Sequence, residues 1–144
     1  MAATSSVSAV GVPPRFMRIR YNGARHPLSA SGSIFREGAN CQRFVFDLLA
    51  HFGYEVGPMR SSELFADREF TRAARRMRRF DILMFNREQR AWGAHLALYL
   101  GDNRAIHLSK EVGRPAIWTI PEFFARERYR TLVAIKRPMR PTVG

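Results

Sequence analysis

Apolar positions recur at helical spacing most clearly in one stretch of the chain. Cys41, Phe44, Val45, Leu48, Leu49 and Phe52 fall on one face of a 3.6-residue repeat. Asn40 before them is a favoured N-cap, and Gly53 after them stands where helices stop. A helix with Cys41 in its first turn is predicted. Further on, Arg60-Ser61-Ser62-Glu63 reads as a helix start. Leu64, Phe65, Phe70, Ala73, Ala74 and Met77 follow, interleaved with the arginines of 68–79. This stretch is expected to form one or two short helices with a basic outer face.

From Phe80 the pattern turns to strands. Phe80 to Phe85 (FDILMF) is a buried-strand run. His95 to Leu100 (HLALYL) alternates, with Leu96, Leu98 and Leu100 on one face and His95, Ala97 and Tyr99 on the other. Gly101-Asp102-Asn103 is a turn signal, and Arg104 to Ser109 is the returning strand. Two more strands are expected at 116–120 and 129–136, separated by a short helix at 121–126. Helices first and antiparallel strands afterwards is an α+β plan: N-terminal helices packed on an antiparallel sheet of about five to six strands. Residues 1–14, small, polar and ending in Pro13-Pro14, are expected to be a flexible N-terminus. Within 15–34, the alternation from Arg15 to Tyr21 reads as a short strand or an arm, and the Gly-, Pro- and Ser-rich part as loop. The domain proper would span 35–138, with 139–144 as a tail.

The chain has 144 residues, 46% of them hydrophobic and 12% aromatic, which supplies a core and excludes wholesale disorder. No apolar run approaches the ~20 residues of a membrane helix. No basic segment followed by an apolar one opens the chain, so cytoplasm is the literal reading of localisation. Export by a specialised route or release by phage lysis are the alternatives. A single cysteine excludes an internal disulfide, a four-cysteine zinc site and an iron–sulfur cluster held by this chain alone. The net charge of +12 comes almost wholly from arginine, 22 Arg against 2 Lys. Such a charge favours nucleic acid, acidic envelope polymers or membrane surfaces. A GC-rich genome produces the same arginine usage, so charge alone does not assign a partner.

What one cysteine can do depends on its surroundings. Cys41 at a helix N-terminus faces the positive end of the helix dipole, which favours thiolate. Its own amide is one of the unpaired donors of the first turn and could serve an oxyanion hole. A base would have to be histidine. His26 lies in a loop of turn formers, and His51 lies ten residues along the same helix, ~15 Å away. His95 and His107 remain, on neighbouring strands of one hairpin. A three-residue loop at Gly101–Asn103 sets Leu100 against Arg104, Ala97 against His107 and His95 against Ser109. Both histidines then share a sheet face as diagonal neighbours. A two-residue loop at Asp102-Asn103 would put them on opposite faces. Spacing alone leaves two readings open: a Cys-His-His site, or an inert thiol with structural histidines.

Three strings bear on that choice: N-C-Q-R-F-V at Asn40–Val45, F-D-I-L-M-F at Phe80–Phe85 and A-H-L-A-L-Y-L-G-D-N-R-A-I-H at Ala94–His107. In this order they resemble the NlpC family of papain-like cell-wall cysteine peptidases. That family has an Asp-Cys-Ser-Gly helix start, a Gly-Asp-Leu-Val-Phe-Phe strand and a paired-histidine hairpin. The resemblance covers about 35–137. It implies Cys41 as nucleophile, His95 as general base and His107 as the residue that orients the base, with no metal or cofactor. It implies amide hydrolysis in peptidoglycan stem peptides, typically between D-glutamate and the diamino acid. It also implies substrate contacts at Asn40 and Gln42, where the family has Asp and Ser. Asn40 lacks the charge of that Asp, and Phe80 stands where a Gly is usual. The family's upstream tyrosine has no clear counterpart, Phe35 and Tyr21 fitting poorly. Two rivals remain: an intracellular amidase or acyltransferase with a non-wall substrate, and a basic anion-binding protein with a relic triad.

Overall fold

The computed structural model describes residues 11–29 and 32–141. Four short helices and six strands form an α+β fold: α1 Ile34–Glu37, α2 Cys41–His51, α3 Ser61–Ala66, β1 Thr71–Ala74, β2 Ile82–Asn86, β3 His95–Gly101, β4 Arg104–Leu108, β5 Pro115–Thr119, α4 Ile120–Phe124 and β6 Thr131–Pro138. The strands make one antiparallel sheet in the order β1-β6-β2-β3-β4-β5. No helix among the described residues is long and apolar enough to cross a membrane.

Period-two alternation sorts the sheet into two faces. On one face Ile82, Met84, Leu96, Leu98, Ile106 and Leu108 pack against Phe44, Val45, Leu48 and Leu49 of α2. On the other, Leu83, Phe85, Ala97, Ala105 and Ile135 pack with Ile120, Phe123 and Tyr129. α2 therefore covers β3 and β4, the two strands that carry the histidines. Asn40 begins α2 as predicted: its side-chain oxygen accepts the Arg43 N–H at 2.8 Å. Gly53, at φ +96°, takes the chain out of the helix.

The N-terminal segment departs from expectation. Pro14–Arg18 is a 3₁₀ turn rather than a strand or a free arm. Val12, Phe16 and Ile19 are buried in the main core, so the boundary expected at residue 35 separates nothing, and Val12 is not part of a flexible terminus. Residues 1–10 lie outside the described residues. The alternation at 15–21 is the repeat of a tight turn whose apolar members point inward, which a period-two reading mistakes for a strand.

The arginine-rich stretch departs as well. Helix α3 stops at Ala66, and Thr71–Ala74 is an edge strand paired with β6. Asp67 is the cause. Its carboxylate accepts the N–H groups of Glu69, Phe70 and Thr71 and the Thr71 hydroxyl, which turns the chain away from helical continuation. The buried Lys136 ammonium donates to the carbonyls of Phe65 and Asp67 and ties the helix end to β6.

Phe80 has φ +76°, a left-handed conformation natural to glycine and costly for a bulky residue. Contacts of its ring with Phe52 at 4.6 Å and Tyr54 at 5.8 Å hold it there. Asp81 beside it is buried and receives two bonds from Arg137, at 2.9 and 2.8 Å.

The β3–β4 turn is the two-residue loop, with a bulge added before it. Asp102 and Asn103 are both left-handed, at φ +51° and +62°, and Gly101 pairs with Arg104 across them. That is a two-residue turn. Tyr99 pairs with Ala105 and Gly101 with Arg104, so Leu100 is the extra residue of a bulge that Gly101, at φ +93°, completes. The bulge restores the offset of the three-residue reading, with Leu98 opposite Ile106. The histidines consequently share a face even though the turn has two residues.

Candidate active site

The sheet offset, the helix cap and the bulge converge on one place. Cys41 is the first residue of α2 and half-buried. Backbone amides of Leu96, Cys41 and Gln42 point at its sulfur. Leu96 follows His95 in β3, so the thiol is held beside the strand that carries the histidine. Cys41 and His95 line the same open cavity, of about 320 Å³.

His95 Nε2 lies 2.8 Å from His107 Nδ1, and the rings meet edge-on at 5.0 Å. His107 is fully buried. Trp118 at 4.0 Å and Phe123 at 4.7 Å pack around its ring. Its other nitrogen, Nε2, is buried with no hydrogen-bond partner among the described residues. On the cavity side the Tyr129 ring lies 4.7 Å from that of His95. The Tyr129 hydroxyl faces the side chains of Ser109 and Arg128. His95 thus lies between a buried histidine and the ring of Tyr129.

Burial sets the protonation of the group. It pushes both imidazoles well below the ordinary histidine range, with the charge of Arg128 adding to the effect on His95. For His107, the coupling to His95 and the charge of Arg126 add to burial. Both rings are neutral at physiological pH. The thiol goes the opposite way from the sequence expectation. Burial pushes it up, and the three amides that favour thiolate only partly offset that. The cavity thus holds a neutral thiol and a neutral imidazole.

The other expected residues fare unevenly. The Asn40 side chain is engaged as the helix cap, and neither it nor Gln42 is among the residues lining the cavity. Gln42 contributes its backbone amide to the sulfur instead. His51 packs its ring on Phe16 at 5.4 Å, and His26 Nδ1 accepts the Leu28 N–H, both away from the cavity. Tyr21, judged a poor fit from sequence, lines the cavity with Cys41. A parallel bridge between Tyr21 and Ala39 brings it there, across a loop that carries no periodic signal. Burial raises its hydroxyl pKa, and the nearby Cys41 adds to this. Tyr129 was also missed; it ends a polar 3₁₀ turn, Glu127–Tyr129, where one buried aromatic makes no pattern. Among the described residues, no group of three or more His, Cys, Asp or Glu side chains could hold a metal.

No family model matches the chain, and no curated protein matches it in sequence. Solved structures do. An NlpC/P60 family protein from Bacillus cereus ATCC 10987 superposes over 72% of this chain with a TM-score of 0.52 and 19% identity. The matched part is 32% of that protein's chain. The chain therefore shares its fold with a domain-sized portion of an NlpC/P60 protein.

Proposed function

We propose that the chain is a cysteine hydrolase that cleaves an amide bond through Cys41, His95 and His107, with peptidoglycan stem peptides as substrate class. The observation that carries this reading is the 2.8 Å contact between the histidines at the cavity that also holds Cys41. If His95 Nε2–H donates to His107 Nδ1, the bare Nδ1 of His95 is left to take a proton. His107 then carries its hydrogen on Nε2, against the aromatic rings around it, where an N–H has a weak acceptor in a π face. The step begins from neutral partners. As the sulfur attacks the carbonyl carbon, its proton passes to His95, and the carbonyl oxygen gathers charge facing the amides of the α2 start. His95 returns the proton to the leaving nitrogen, and the C–N bond breaks. Water, deprotonated by His95, then releases the acid from the thioester.

Mass spectrometry of muropeptides digested with the wild type and with Cys41→Ala tests the substrate class. Cleaved stem peptides are expected only with the wild type. Intact muropeptides alongside hydrolysis of other amides would move the substrate elsewhere. That second reading, a non-wall amidase or acyltransferase, draws on Asn40, whose neutral side chain is engaged as a cap. The anion-binding reading draws on a concave surface beside β1 lined by Arg72, Arg75, Arg76, Arg78 and Arg137. Arg137 is already paired with Asp81. Duplex DNA binding with a steep salt dependence, and no hydrolysis, would favour it.

A further inference from the structure

The sheet has one covered edge and one open edge. β5 ends the strand order on one side and β1 on the other. The N-terminal 3₁₀ turn packs against β5, and the Tyr21 N–H donates to the Gly113 carbonyl beside it. Among the described residues β1 pairs with β6 alone. The Met139 N–H donates to the Phe70 carbonyl at 2.9 Å, which sets the phase of that ladder. Counting on from it, Arg72 and Ala74 direct their backbone groups to β6, and Ala73 turns its N–H and C=O outward. Ala73 is exposed.

Two concave surfaces meet on this edge and share Arg72 and Ala73. At the Met139 end, one of about 680 Å³ holds Phe65 and Met139, which are 45% and 41% exposed. At the other end, one of about 420 Å³ is lined by Arg72, Arg75, Arg76 and Arg78, all exposed. Among the described residues these four arginines meet no carboxylate within ion-pair distance. The acids nearby are already taken. Asp67 accepts four donors from its own turn, and Asp81 is buried beneath Arg137. Asp81 also accepts the Arg78 N–H, and Arg137 donates to the Arg76 carbonyl. One buried ion pair thus holds the backbone of the loop from which the exposed arginines project.

We propose that the outer edge of β1 docks an extended acidic segment of a partner protein. The segment adds to the sheet as a further strand, its acidic residues against Arg72, Arg75 and Arg76 and an apolar residue over Phe65 and Met139. In strand addition the main-chain bonds supply attachment and the flanking side chains select the partner. A second copy of this chain fits badly, because edge-to-edge pairing brings the arginines of both copies together. A nucleic acid would engage the arginines but leave the open strand and the apolar end unused. No aromatic side chain lines the arginine end for a base to stack on. β6 and β2 separate β1 from β3, which carries His95, and the edge shares no lining residue with the Cys41 cavity. A docked partner therefore leaves that cavity open, and docking and hydrolysis are independent.

Fluorescence anisotropy with the full chain tests this. The probe is a labelled peptide with valine and leucine in its first half and glutamate and aspartate in its second. Saturable binding is expected, weakening as salt is raised. Lysine in place of the peptide's acids should abolish it. Methylating the backbone nitrogens along one edge of the peptide should also abolish it, while methylating those along the other edge should be tolerated. On the protein, Arg72→Glu with Arg75→Glu should weaken binding by at least about tenfold, and Phe65→Ser by a smaller factor. Ala73→Pro removes the outward N–H and leaves the β6 ladder intact, so it should abolish binding to a chain that a thermal melt shows to be folded. If that variant does not fold, the methylated peptides decide the same point. No binding of the acidic peptide, or equal binding of the lysine version, overturns the proposal: the arginines then only guard the edge against self-pairing. Tolerance of methylation on both edges, or tighter binding of a DNA duplex of equal charge, overturns it in favour of a polyanion surface. Either result leaves the hydrolase reading standing.

Discussion

Nε2 of His95 stands 2.8 Å from Nδ1 of His107, and His107 is fully buried behind it. The contact fixes the orientation of the His95 ring, and in the proposed mechanism His95 is its donor. Gly101 makes the contact available. Without its bulge, a two-residue turn at Asp102-Asn103 would send the two rings to opposite faces of the sheet.

In the proposed mechanism His107 acts through His95, so its replacement should lower kcat and spare KM. His107→Gln retains an acceptor for the His95 N–H, whereas His107→Leu removes it. Steady-state kinetics on a cleaved peptide should show a loss on the order of 10²-fold in kcat for the Leu variant and partial rescue in the Gln variant. A change confined to KM would mean that His107 shapes binding instead.

Stability should fall in mild acid. Both histidines have folded pKa values depressed below the ordinary 6.5. As pH drops through that value, the unfolded chain takes up protons that the folded one refuses. Their contribution is complete above about pH 6.5 and shrinks below it, by up to about 1.4 kcal/mol per pH unit for each ring. Asp47, whose carboxyl is pushed up by burial, works in the opposite direction but from the lower carboxylate range. Urea unfolding at pH 8, 7, 6 and 5 checks this. Equal stability across pH 7 to 5 would show that the pair is not held neutral.

The thiol should titrate late. Burial raises it, and His95 is too weak a base in the empty site to hold its proton as an ion pair. The pH profile of iodoacetamide labelling in the unliganded protein should have its midpoint above the ordinary ~8.5 of a free thiol. A midpoint near 6 would mean a resting thiolate–imidazolium pair and a different starting state for the reaction.

The position of Cys41 in the first turn of α2 was legible, because Asn40 and the apolar repeat after it are local signals. The direction of its titration was not, because the helix dipole is visible in sequence and desolvation is not. The pairing of His95 with His107 followed from strand offset, although the turn that produces it was read only in part. Tyr21 reaches the cavity through one bridge to Ala39, across a long loop without periodicity. Thr71–Ala74 resembled a helix because an edge strand rich in alanine and arginine carries no β-branched run, and Asp67, which ends α3, acts through bonds that spacing does not encode.

The central claim is that Cys41 forms a covalent acyl-enzyme. Intact-mass and peptide mapping after an acid quench, during turnover of a stem-peptide ester, tests it directly. The account predicts an added mass equal to the acyl fragment on the peptide that contains Cys41, together with product formation that Cys41→Ala abolishes. Product formed by Cys41→Ala at the wild-type rate, with no adduct on the wild type, would contradict it.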